Sequence, residues 1–198
     1  MANCPLCHQR PPRRNCPALG EAICARCCGE ERERTISCRF DCSHLLEARE
    51  REPMYALPHD YPNQDLDTSE PFLRSHELLL LTMVGMVFMS AEDAMAVDLE
   101  LREALAALID KRRGKPEPVL SQAASTLKVM FETRLAEFSQ RALAEGQAFT
   151  DQEVLRLLAF LQREEMQYNN QRPKSRAYVD WLRAWVTAMV NQTTEAGN

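Results

Sequence analysis

CPLCHQRPPRRNCPALGEAICARCCGEERERTISCRFDC, residues Cys4 to Cys42, holds all eight cysteines of a 198-residue chain. Positions 43 to 198 have none. The spacing is C-x2-C (Cys4, Cys7), a lone Cys16, C-x2-C-C (Cys24, Cys27, Cys28) and C-x3-C (Cys38, Cys42). Residues 1–52 are poor in aliphatic side chains and dense in Cys and Arg. Such a segment cannot bury an ordinary core and needs a staple to fold. The first 30 residues lack the apolar run of roughly 7 to 15 that a signal peptide carries. The longest apolar stretch, Leu78 to Met89, is shorter than the roughly 20 residues that span a bilayer. These features place the chain in a reducing cytoplasm and off the membrane, where clustered thiols serve as metal ligands rather than disulfides.

Each C-x2-C pair can form a knuckle whose two sulfurs reach one tetrahedral ion at about 2.3 Å, and four thiolates make a closed structural zinc site. Cys4, Cys7, Cys24 and Cys27 are read as site 1. Cys16, Cys28, Cys38 and Cys42 are read as site 2, because adjacent Cys27 and Cys28 point differently and serve separate ions. The two sites interleave as a cross-brace. His8 and His44 lie beside ligands and are possible substitute donors. Cys38 and Cys42 sit at the start of a helix running from about Asp41 through Leu45 and Leu46 to Arg49. Two zinc ions are expected; an iron–sulfur cluster is the alternative, although the compact C-x2-C-x2-C run is missing. Eight thiolates saturate two ions, leaving no open position for catalysis.

At these residues the chain resembles the cross-braced treble-clef modules of the RING, B-box and MYND kind. The resemblance implies two zinc ions and a role in protein contacts, over residues 4–42 only. The lone Cys16 and the all-cysteine set depart from those families, so no ligase or other activity carries over. The strings C-P-A-L from Cys16, I-C-x-x-C-C-G from Ile23 and D-C-x-x-L from Asp41 are also similar to a signature of bacterial Cys-rich proteins, which implies no function.

Outward from this stretch, Pro53, Pro58, Pro62 and Pro71 with Tyr55 and Tyr61 predict an extended strap over 53–71, pinned by its tyrosines. From 72 to 192 the apolar spacing is helical. Five helices are expected: Leu73–Met89, apolar almost all round; Ala91–Arg113, capped by Ser90; Val119–Ala144, closed by Gly146; one opened by a Thr150/Glu153 capping box and reaching Tyr168; and one capped by Ser175. Residues 193–198 are expected to be a flexible tail. The fold class is therefore mainly α, a small N-terminal double-zinc module followed by an antiparallel bundle of about five helices.

The net charge is −5. Residues 1–52 hold nine arginines and eight acidic residues; eight thiolates and two dications carry that near-neutral balance to about −3. An anionic module is a poor phosphate ligand, since nucleic-acid affinity rests on neutralising phosphates. Arg10, Arg13 and Arg14 are the exception and a possible partner contact, while Arg32, Arg34 and Arg39 alternate with Glu30, Glu31 and Glu33 as a solvated turn. Met83, Met86 and Met89 read as core, Trp181 and Trp185 as bundle closure, and Glu164 and Glu165 as a solvated face. No Gly-rich phosphate loop, nucleophile elbow or His-Glu-x-x-His motif occurs. The expected function is a non-enzymatic zinc-binding adaptor that presents its surface to a protein partner or to a second copy of the chain. The alternatives are a nucleic-acid-associated regulator using the arginines near Cys16, and an iron–sulfur redox protein.

Overall fold

A computed structural model describes residues 3–196, with side chains through Asn191. The chain is mainly helical, with eight helices and one two-stranded sheet among the described residues. The Cys-rich end folds first into a short antiparallel hairpin, β1 (Arg14–Cys16) and β2 (Glu21–Ile23), which pairs Arg14 with Ile23 and Cys16 with Glu21. Its turn closes through Gly20, whose φ of 68° suits a residue without Cβ. Three-residue strands carry no legible alternation, and the sequence does not announce them. Helix α1 (Ala25–Glu31) follows, capped by the Cys24 sulfur, which accepts from the Cys27 N–H at 3.4 Å. Helix α2 (Ser43–Arg49) forms where the Cys42-led helix is expected.

Residues 53–69 contain no helix or strand. Arginines from the helical region hold this segment more than its tyrosines do. Arg113 bonds Asp65 and Asn63, Arg156 pairs with Asp67, and Arg163 donates to the carbonyls of Asn63 and Leu66. Tyr61 lies under the Arg163 guanidinium, and the Tyr55 N–H reaches Gln167 O at 2.9 Å.

Beyond it come α3 (Glu70–Ser75), α4 (Glu77–Asp93), α5 (Asp98–Arg112), α6 (Gln122–Ala144), α7 (Asp151–Tyr168) and α8 (Ala177–Ala196). The expected first helix is divided at His76 and runs four residues past Met89. Ser90 is not a cap: it is buried inside α4 and donates to Met86 O. The break falls at Ala94–Val97, where Met95 takes φ 49° and the Ala96 N–H closes back on Ala91 O. Helix α5 then starts with the Glu100 carboxylate accepting from the Val97 N–H. The Thr150/Glu153 box opens α7 as read from the sequence. Ser175 does accept from the Ala177 N–H, but the stronger cap on α8 is tertiary. Fully buried Asp98 accepts from Ser175 Oγ and from the N–H groups of Tyr178 and Val179. The α8 backbone enters the segment expected as a tail, and residues 197–198 lie outside the described residues.

Helix α4 sits against α6, α8 and α7, while α5 packs on α6 and α7. Met83, Val84, Leu105, Leu127, Phe131, Leu158 and Tyr178 are fully buried between them. Met83 and Met86 are core as expected, whereas Met89 is exposed. Among the described residues, no helix is long and apolar enough to cross a membrane.

The Cys-rich end meets the helices largely through polar contacts, with Arg183 also stacked on Phe40. Glu33, read as part of a solvated turn, is 1% exposed. Its carboxylate takes Arg49, Asn170 and the Arg176 N–H, and Arg172 lies 3.7 Å away. Arg49 also pairs with Asp180 on α8. Glu165 departs from its solvated reading as well: it is buried against Arg102 and Asn169.

Candidate metal centre

The loop Cys4–Arg10 is turned back on itself by two backbone bonds, His8 N–H to Cys4 O and Cys4 N–H to Arg10 O, both 2.8 Å. His8 occupies the left-handed region at φ 55°, which lets the chain reverse directly after Cys7. The second pair sits at the hairpin exit, where Cys24 caps α1 and Cys27 lies in its first turn. The hairpin and the loop bring the two pairs together. All four sulfurs of Cys4, Cys7, Cys24 and Cys27 lie within 4.8 Å of one another, with Cys7 and Cys24 at 3.9 Å. Sulfurs at tetrahedral corners about 2.3 Å from a centre are about 3.8 Å apart, so this set can hold one metal ion with little adjustment.

Backbone N–H groups prepare the sulfurs for charge. Burial opposes ionisation of Cys4, but the N–H groups of Cys24, Cys7 and Leu6 outweigh it and hold the thiol down to about 6. Cys7 is likewise lowered, first by the Gln9 N–H, against its burial. Cys27 carries the opposite burden. Its hydrogen bond with the Cys24 side chain, then its burial and the Cys7 side chain, push it up to about 12. Packed thiolates repel one another, so only a cation among them lets all four ionise together. The donor set is therefore soft, anionic and closed, suited to a tetrahedral metal rather than to a hard oxygen-liganded ion.

The other four cysteines converge less tightly. Cys16, Cys28, Cys38 and Cys42 line one small enclosed cavity of about 20 Å³, together with Ile23, Ile36 and Leu45. Among the described residues, the first set is the one group of three or more such side chains whose ligand atoms all lie within 4.8 Å. Burial raises the Cys38 thiol, and the charges of Glu33, Cys16 and Cys42 add to that rise. Arg14 Nη1 approaches Cys28 Sγ at 3.4 Å.

The two histidines separate. His8 is exposed on the turn outside the first set. His44 lines the second cavity, and its buried Nδ1 has no hydrogen-bond partner; the nearest carboxylate oxygen, on Glu47, is 3.9 Å away. The three arginines also part company. Arg10 contributes its backbone to the Cys4–Cys7 loop, Arg13 is an exposed hairpin residue, and Arg14 alone faces the second set.

No protein-family model, curated protein or solved structure matches the chain.

Proposed function

We propose that residues 1–52 form a double-zinc module, joined by the 53–71 strap to a helical bundle over 72–192, and that the protein is a non-enzymatic adaptor for a protein partner. The close approach of the Cys4, Cys7, Cys24 and Cys27 sulfurs carries the metal part of this reading. Zinc suits a four-thiolate set with no open position, because it demands no redox chemistry and no ligand field beyond a tetrahedron. The second ion would be held by Cys16, Cys28, Cys38 and Cys42, with the unpartnered His44 Nδ1 as a donor in reserve.

The surface supports an interaction role. Phe40, Leu46, Met54 and Tyr55 are substantially exposed, with Phe40 at 51%. They border two adjoining clefts of about 310 and 420 Å³ along α8, which share Leu46 and Asp180. Exposed apolar side chains gathered along one face are the kind of surface a partner can cover. Elemental analysis of purified, colourless protein is expected to return two zinc per chain; iron with inorganic sulfide would replace the reading with a redox one. Cross-linking from Leu46 in the native cell is expected to trap a protein. Selective trapping of nucleic acid there would overturn the adaptor role.

A further inference from the structure

Three arginines distant in sequence line one pocket of the Cys-rich end, beside the cavity of its second thiol set. Arg14 comes from β1, Arg32 from the C-cap of α1, and Arg51 from just after α2. With His44, Glu47 and Glu52 they line an open pocket of about 300 Å³. Arg10, Arg13, Arg34 and Arg141 have no side-chain partner among the described residues, whereas Arg49, Arg102, Arg113, Arg134, Arg156 and Arg183 each bond a carboxylate. Arg32 and Arg51, by contrast, have no side-chain hydrogen bond or ion pair among the described residues. Glu52 does not neutralise them, because its carboxylate turns toward Arg172 at 3.3 Å and Asn170 at 3.4 Å. Glu47 is exposed and leans toward His44. The pocket is thus lined by three guanidinium-bearing side chains, two of them unpaired and Arg14 within reach of Cys28 Sγ, and by two carboxylates, of which Glu52 is turned toward Arg172.

We propose that this pocket binds one phosphate monoester group, carried on a side chain of a polypeptide partner. Planar guanidinium forks match phosphate oxygens in pairs, and clustered arginines are the usual receptor for a single phosphorylated side chain. At about 300 Å³ the pocket has room for a phosphate and its stem. A nucleic acid would need a run of such contacts, and the net charge of −5 opposes a polyanion while leaving one local dianion acceptable. The inference goes beyond the adaptor reading in naming the group recognised, and it does not depend on which metal the cysteines hold.

The test is a titration of the intact metal-loaded chain, followed by amide NMR, with N-acetyl-O-phosphoserine amide, its unphosphorylated counterpart and a short duplex DNA. One saturable site is expected for the phosphorylated probe, with shifts at Arg14, Arg32, His44 and Arg51, and none for the unphosphorylated one. Arg32→Gln and Arg51→Gln are each expected to weaken binding about tenfold. Arg26→Gln, which removes an exposed partner of Glu30 elsewhere on α1, should leave it unchanged. Unaltered metal content shows that the variants remain folded. Shifts that chloride reproduces at equal ionic strength, binding indifferent to both variants, or DNA binding without phosphoserine binding would each overturn the proposal.

Discussion

Two regions of this chain are held together by different forces. The Cys-rich end has one small buried cluster of six residues, four of them cysteines, and only Ile23, Ile36 and the nearby Leu45 supply buried aliphatic bulk among its described residues. The helical region, with Leu66 of the strap, buries twenty-eight residues in one cluster and has no cysteine among them. At about 25 cal/mol per Å² of apolar surface removed from water, the second can stabilise itself and the first cannot. The joint between them belongs to neither type, since buried Glu33 gathers Arg49, Arg172, Asn170 and the Arg176 N–H. On the proposed reading, a metal-dependent unit is joined, in part through these ion pairs, to a helical body that needs no metal.

The strongest way to break this contrast is at a thiol. Cys24→Ser removes a sulfur that caps α1 and lies 3.9 Å from Cys7. It is expected to lose one metal per chain and the protection of amides in 4–42, because structural metal binding and folding are coupled. The helical circular dichroism of the remainder should survive; its loss would show that the helices lean on the metal. Cys28→Ser tests the second set by the same readout, and metal content that stays unchanged would reduce the protein to one site. Phe131→Ala is the complementary lesion. This fully buried ring should cost about 4 kcal/mol in denaturant unfolding of the helices, with metal content unaffected.

The joint comes next. Glu33→Ala leaves Arg49 and Arg172 without their buried carboxylate and should cost about 3 kcal/mol. It is expected to raise hydrogen exchange at 170–176 while both thiol sets keep their metal. The smallest effect sharpens the helical side alone. Thr150→Ala removes the cap of α7 and should cost about 1 kcal/mol. The same box has a pH signature. The Thr150 N–H, and then His76, hold the Glu153 carboxyl below its ordinary value of 4.5. A lowered folded value means this contribution is complete above about pH 4.5 and is lost as the pH falls through the folded value. Melting temperatures of wild type and Glu153→Gln should therefore converge in acid.

Much of the helical pattern was legible because it is local. The Thr150/Glu153 box, the Met83 and Met86 core positions and the Cys42-led helix all follow from spacing within a few residues. The errors share one cause. Ser90 looked like a cap, yet it lies within a helix that the Met95 turn ends. Glu33 and Glu165 looked solvated, because their partners Arg49 and Arg102 lie sixteen and sixty-three residues away. The three-residue strands were too short to show alternation. Proximity in sequence groups Arg14 with Arg10 and Arg13, whereas folding sends it to the pocket that Arg32 and Arg51 also line.

By itself, the sequence determined that the thiols are concentrated at one end, that the C-x2-C pairs offer chelating knuckles, and that the rest is helical. Each of these depends on bond geometry and periodicity over a turn or two. Only the tertiary structure decided that Cys4, Cys7, Cys24 and Cys27 close to within 4.8 Å while the second four share a looser cavity. It alone decided which carboxylates are buried and which arginines stay unpaired. Charge pairing acts through space across distant segments, and nothing in local spacing records where the chain will bring them.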